Sequence, residues 1–175
     1  RVLWKTCING SSELMSNISG SVVAMLYNFQ LLRLAGEDGV AAYGAVMYVN
    51  FIFLAIFIGY AIGSAPVISF HYGAEHPEEL HSLLVRSAVL TGTAGVAMAA
   101  LAALASGPLS GIFVGYDPGL YALTVRGFRM YAVSYIICGF NIFGSSFFTA
   151  LNNGLASAVI SFLRTLVFQC AAVLI

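Results

Sequence analysis

Charged side chains are scarce in this sequence. Seven basic and seven acidic residues stand among 175, and they make up 8% of the chain, about a third of the fraction usual in soluble domains. The two signs balance to a formal net charge of zero, and the sequence has no basic stripe. Because nucleic-acid binding needs such a positive surface, we expect no nucleic-acid partner.

Motifs for catalysis and for metal binding are also missing. Cys7, Cys138 and Cys170 are far apart and lack CxxC spacing, so we interpret them as small packing residues. The histidines recur every five residues, a spacing that turns successive helical positions by roughly 140°. The chain has no nucleophile elbow, phosphate-binding glycine loop or paired carboxylates. We therefore expect no enzyme activity, no metal site and no cofactor.

Long apolar runs are abundant instead, since 60% of the residues are hydrophobic. A helix needs roughly 20 apolar residues to cross a bilayer, and five such segments lie near residues 8–33, 41–70, 83–105, 120–150 and 155–175. Lipid offers no partners for free backbone groups, so these segments should be helices. We predict an all-α, polytopic transmembrane helical bundle that spans residues 1–175 as a single domain. It should lie in the plasma membrane, surrounded by lipids, with residues 107–118 at the interface.

The first segment carries an unusual number of polar groups. Asn9, Glu13 and Asn17 fall on one broad helical face, which should not point at lipid. An ionisable group inside a span costs at least ~2.5 kcal/mol, so Glu13 is a candidate for binding a proton, Na⁺ or a cationic substrate. The alternative is that the first helical turns lie outside the bilayer and that Glu13 is hydrated.

Three further residues are candidates. Arg164 lies inside the fifth segment, where it either serves a site or extends its guanidinium to the interface. Asn141 is an amide within a span, which most often forms a helix-to-helix hydrogen bond. Tyr135 could belong to an aromatic wall for a lipophilic cation, although membrane aromatics are more often packing residues or interfacial anchors.

Two stretches carry a family resemblance. Residues 41–80 contain "GYAIGSAP" followed by a Tyr-Gly-Ala loop, and residues 140–165 contain "FNIFGSS" and end in "SFLRT". In their order and spacing they resemble the MATE (multidrug and toxic compound extrusion) family, specifically its cation-coupled drug antiporters. The resemblance covers nearly the whole chain.

The resemblance implies more than the residues do alone. The family has twelve transmembrane helices in two six-helix lobes and exports lipophilic organic cations in exchange for Na⁺ or H⁺. The chain is similar to the second lobe without its last helix, which makes an N-terminal lobe of the same protein its expected partner. Glu13 stands where the family often has a carboxylate for coupling, whereas Asn141 stands where several members have an aspartate.

Two other functions stay open. The same superfamily includes flippases for lipid-linked oligosaccharides and peptidoglycan precursors, whose anionic cargo calls for a cavity lined with basic residues. Few arginines are available for that role here. The chain could also be a truncated helical bundle that does not transport, and that binds lipid or a partner.

Overall fold

The computed structural model describes the backbone of residues 2–174, and within them every side chain except those of residues 2–6, 8–13, 15–16, 154–155, 164, 172 and 174. All regular elements in this range are helical, as the sequence predicts. They are α1 (Val2–Gly73), α2 (Pro77–Val114), α3 (Pro118–Ala132), α4 (Tyr135–Ala150), α5 (Gly154–Phe162), a π-helical segment (Leu163–Phe168) and α6 (Gln169–Leu174).

The length and composition of these helices suit a membrane. In the described part of the chain, Asn17–Gly73 and Pro77–Val114 are each long and apolar enough to cross one. The pair α3 and α4 adds a third candidate span if the two bent helices count together. The predicted class, an all-α bundle of membrane helices, is confirmed.

Gly36 marks the boundary between the first two predicted helices. Its dihedral angles are φ 66° and ψ −156°, whereas its neighbours on both sides are helical. Only glycine readily adopts this region of dihedral space. Residues 2–35 and 37–73 are thus two helical stretches, each longer than the roughly 20 residues of a span. We expected a longer gap between residues 33 and 41, and the structure reduces it to one residue.

Helix α2 is longer than predicted. We expected it to end near residue 105 with an interfacial piece after it, but the helix continues through Pro108 to Val114. A stripe of buried residues runs along its length and continues beyond the proline: Ser87, Thr91, Gly95, Met98, Ala102, Ser106, Ser110 and Val114. Most of them are small, so the helix packs closely along one face. This packing offsets the backbone hydrogen bond that Pro108 cannot donate.

The fourth predicted helix, residues 120–150, is divided in two. α3 and α4 are bent by 50° at a short break. At the break the Ser134 hydroxyl donates to the Tyr131 carbonyl oxygen at 2.7 Å, and the Ser134 backbone N–H donates to the same oxygen at 2.9 Å. Ser134 thereby satisfies a carbonyl group that a continuous helix would have paired further along the chain. Our prediction of a single helix was wrong here.

The turns between helices follow local sequence signals. α1 ends at Gly73, and α2 begins at Pro77 with Glu78 and Glu79 in its first turn, where the helix dipole favours carboxylates. Asp117 caps α3, since its Oδ1 accepts hydrogen bonds from the backbone N–H groups of Gly119 at 2.7 Å and Leu120 at 3.0 Å. The sequence predicted the Asp117 cap and Pro77 in the first turn of α2. It also predicted Gly73 as the C-cap residue of α1, which was wrong, since the residue with positive φ after α1 is Glu75, at φ 55°.

The fifth predicted helix, residues 155–175, contains a change of helix type. α5 is followed by six π-helical residues, Leu163–Phe168, and then by α6. π-helical turns are rare and often occur at functional sites. Apolar periodicity predicts the helix but gives no signal for the wider turns.

The chain divides into two compact units, which are described separately below. Unit 1 comprises Arg1–Gln30, Ala61–Leu83 and Gly144–Ile175, and unit 2 comprises Leu31–Tyr60 and Leu84–Phe143. Unit 2 contains an apolar core whose main cluster consists of Phe57, Met98, Ala102, Ala132 and Tyr135. Val46, Val49 and Phe128 form a second cluster in this unit.

Two glycines allow helices of unit 2 to approach each other closely. A Cβ atom at Gly95 would lie 2.8 Å from the carbonyl oxygen of Tyr135, and one at Gly139 would lie 2.6 Å from the ring of Phe57. Close approach at small residues gives membrane helices the packing contacts that hold them together. The start of α4 is therefore fixed against α2 by backbone contact.

We expect Gly36→Ala to destabilise the protein by about 1 to 3 kcal/mol, because alanine is strained in this dihedral region. Gly44→Ala is the matched control, since Gly44 is helical and a Cβ atom there meets no other atom within 4 Å. Helix propensity should make that variant equally stable or more stable. Thermal unfolding in detergent, followed by circular dichroism, measures both. Equal unfolding temperatures of the two variants would contradict the prediction that alanine is strained at position 36.

Candidate functional site

An apolar cavity of about 180 Å³ lies within unit 2. It is formed by residues 31–46 on α1 and residues 123–131 on α3: Leu31, Ala35, Gly39, Ala42, Tyr43, Val46, Leu123, Arg126, Gly127, Met130 and Tyr131. Small side chains on α1 leave the space, and the two tyrosines supply aromatic surface. The cavity therefore offers an apolar ligand a concave surface of the kind that binding sites use.

The cavity has one charged lining residue, Arg126. Arg126 also lines a neighbouring open groove with Ala122, Val125, Arg129, Met130 and Val133. We call this second surface the arginine groove. Both arginines are exposed, and no carboxylate is among the residues that line either surface. The charged side chains that line these two surfaces are therefore cationic, which disfavours a cationic ligand in contact with them.

Unit 1 contains a cluster of hydroxyl groups between α4 and α5. Ser145 Oγ lies 2.9 Å from Ser157 Oγ and 2.9 Å from Ser161 Oγ. Thr149 Oγ1 donates to Ser157 Oγ at 2.8 Å, and Ser157 Oγ donates to the Ser145 carbonyl oxygen at 2.9 Å. Ser157 and Ser161 are fully buried, with 0% of their surface exposed. The hydroxyl cluster joins two helices by hydrogen bonds at a buried contact.

Sequence reasoning missed the hydroxyl cluster, although a signal was present. Ser157, Ser161 and Thr165 recur every four residues, so they share one helical face, and all three are buried. Such a polar stripe in an apolar helix predicts contact with another helix. The partner residue, Ser145, could not be chosen without the fold.

The predicted site residues lie in different parts of the molecule. The side chains of Asn9, Glu13 and Arg164 are outside the part that the structure describes. Asn17 is exposed on α1 in unit 1. The polar face around Glu13 stays a prediction.

Tyr135 and Asn141 both lie on α4 within unit 2. Tyr135 is only 2% exposed, and its ring packs edge-on against Phe53 at 5.1 Å and Tyr131 at 5.7 Å between centroids. Asn141 is half-buried. Six residues separate the two, which places them roughly 120° apart around the helix. The structure thus does not bring these two candidates onto one face, and Tyr135 lies in the apolar core.

Comparison of the sequence with known protein families identifies the family. The MatE family profile matches residues 14–173, nearly the whole chain. The chain belongs to the MatE family. No curated protein sequence matches it.

Two solved structures share the fold of this MatE chain. One is a crystal structure of a MATE protein in complex with MaL6, and the other is a transporter of the MOP superfamily from Pyrococcus furiosus. Each has a TM-score of 0.89 at 20% sequence identity. The comparison covers 98% of this chain for the first and 99% for the second. The MatE chain spans 39% of the length of either protein.

Membership of a transporter family makes this chain part of a multi-pass membrane protein. The resemblance stated from residues 41–80 and 140–165 is confirmed by the family match. At 20% identity the solved structures show that the fold is shared, and they assign no residue of the MatE chain to a substrate or an ion.

We expect Ser145→Ala to destabilise the protein by about 1 kcal/mol, because it removes hydrogen-bond contacts worth ~0.6 kcal/mol each in a membrane. Thr93→Ala is the control, since Thr93 is exposed and its hydroxyl donates only to carbonyl groups of its own helix, at Val89 and Leu90. Unfolding by sodium dodecyl sulfate in mixed micelles gives both free energies. If Ser145→Ala lowers the free energy of unfolding no more than Thr93→Ala does, the hydroxyl cluster does not stabilise the helix pair.

Proposed function

We propose that this chain is one lobe of a cation-coupled antiporter that exports lipophilic organic cations across the plasma membrane. The family match over residues 14–173 carries the proposal. The apolar helices place the chain in the bilayer, where lipophilic compounds accumulate. The coupling ion is Na⁺ or H⁺, and the partner of this lobe is an N-terminal lobe of the same protein.

Glu13 is the residue we assign to coupling. It lies one residue before the range that the family profile matches, in a polar stretch that also includes Asn9 and Asn17. A carboxylate attracts an organic cation, and proton or Na⁺ binding at the same group weakens that attraction. The two ligands are thereby linked by a coupling free energy, typically ~1 to 3 kcal/mol. Alternating access would follow from rocking this lobe against its partner.

The fold alone does not fix the charge of the substrate. A transporter that shares it, from Pyrococcus furiosus, is described as having a binding pocket of reverse polarity, which suggests a different function for that protein. Arg126, the charged residue that lines the cavity of unit 2, would also repel an organic cation. Our proposal therefore places cation binding at the polar face of residues 9–17, and not at Arg126.

The test is ethidium efflux from cells that express the full-length protein, with Na⁺ present or absent and at two pH values. We expect Glu13→Gln to lower efflux at least ~5-fold, the lower end of a coupling energy of 1 to 3 kcal/mol. The condition that most changes wild-type efflux identifies the coupling ion.

Glu79→Gln is the matched control, because it removes an exposed carboxylate at the start of α2 and should leave efflux unchanged. Expression is compared by immunoblot. If Glu13→Gln retains cation-driven efflux, the assignment of Glu13 is wrong. If the wild type moves no ethidium, the proposal of drug efflux fails and an anionic lipid-linked cargo replaces it.

A further inference from the structure

The apolar cavity and the arginine groove of unit 2 share a residue, Arg126. We propose that together they bind an anionic phospholipid, with part of an acyl chain in the cavity and the phosphate group on Arg126 and Arg129. This site differs from the cation site of the proposed function in position and in charge.

The shape of the cavity favours a hydrocarbon segment over a whole drug molecule. Its volume is about 180 Å³, below the roughly 300 to 1,000 Å³ of pockets that enclose small molecules. Apart from Arg126 and the two tyrosine hydroxyls, its lining groups are apolar. A linear apolar chain gains burial in such a space without needing a polar partner.

The two guanidinium groups supply the other half of the site. Arg126 and Arg129 are three residues apart on α3, so they are neighbours on the helix surface. Among the described residues no carboxylate oxygen lies within 4.0 Å of either guanidinium group. A guanidinium fork matches the oxygen geometry of a phosphate and forms strong, charge-assisted hydrogen bonds with it. The arginines thus lack a counterion that a phospholipid headgroup would provide.

The position of Arg126 indicates that the ligand is an amphiphile and not a simple anion. Its side chain lines both the apolar cavity and the groove that contains Arg129. A soluble anion would use the arginines and leave the cavity empty, while a neutral lipid would use the cavity and leave the arginines unpaired. An anionic phospholipid satisfies both surfaces at once.

The experiment measures thermal unfolding of the full-length protein in detergent with added phosphatidylglycerol, phosphatidylcholine or inorganic phosphate. A ligand of the native state raises the unfolding temperature in proportion to its affinity. We expect phosphatidylglycerol to stabilise the wild type clearly more than phosphatidylcholine, and inorganic phosphate to have no effect. Arg126→Gln and Arg129→Gln should each weaken the apparent affinity for phosphatidylglycerol about 5-fold.

Two further variants separate the parts of the site. Ala35→Phe fills the cavity without changing a charge, and it should weaken phosphatidylglycerol and phosphatidylcholine binding alike. Arg86→Gln is the matched control, because Arg86 is exposed on α2 and lines neither surface; it should bind phosphatidylglycerol as the wild type does. Gel filtration in detergent confirms that every variant is folded.

Three results would overturn the proposal. Equal stabilisation by the two lipids would show that the arginines do not select the headgroup. Stabilisation by inorganic phosphate as strong as that by phosphatidylglycerol would assign the arginines to a soluble anion. Unchanged lipid binding in both arginine variants and in Ala35→Phe would mean that another part of the protein covers this surface. Because purified protein is used, these outcomes are independent of ethidium efflux.

Discussion

The constraint on which the rest of this structure depends is the pairing of backbone groups where no water is available. A helix satisfies its own N–H and carbonyl groups, so every interruption in a membrane helix needs a local substitute for the missing partners. Two breaks in the described chain show different substitutes. At Val133 and Ser134 a serine hydroxyl and a backbone N–H serve one carbonyl group, and at Asp117 a carboxylate serves two N–H groups. This requirement favours long helices with few breaks, each with its own hydrogen-bond partners.

Much of the fold could be predicted from the sequence because the apolar segments are long and the turns carry strong signals. Pro77 and Asp117 are found at helix ends, where their conformational and hydrogen-bonding properties suit them. The end of α1 was less predictable, because Glu75 and not Gly73 takes the left-handed conformation there. The two errors in helix boundaries lie at Pro108, through which α2 continues, and at Ser134, whose hydroxyl donates to Tyr131 at the bend between α3 and α4. Apolar composition alone does not distinguish these outcomes. The amino-acid composition of the π-helical segment does not distinguish it from an α-helix.

The candidate site was less predictable. Single residues such as Glu13 and Arg164 can be selected because charge is rare in an apolar sequence. A cavity, in contrast, is the space between two chain segments and depends on how they pack. The sequence does not indicate that Ala35, Gly39 and Ala42 line a cavity with Arg126, because the fold brings residues 31–46 and 123–131 together. The two arginines of the arginine groove thus lie in unit 2, whereas the proposed cation site lies among residues 9–17. Under the two proposals these surfaces serve different ligands.

The hydroxyl cluster of α4 and α5 has a consequence for how the lobe responds to its surroundings. Serine and threonine hydroxyls donate and accept protons in hydrogen bonds but keep the same charge throughout the physiological range. Contacts between neutral groups are also indifferent to ionic strength, which screens charges only. The contact of Ser145, Ser157 and Ser161 therefore keeps the same strength when the pH or the salt concentration changes within that range.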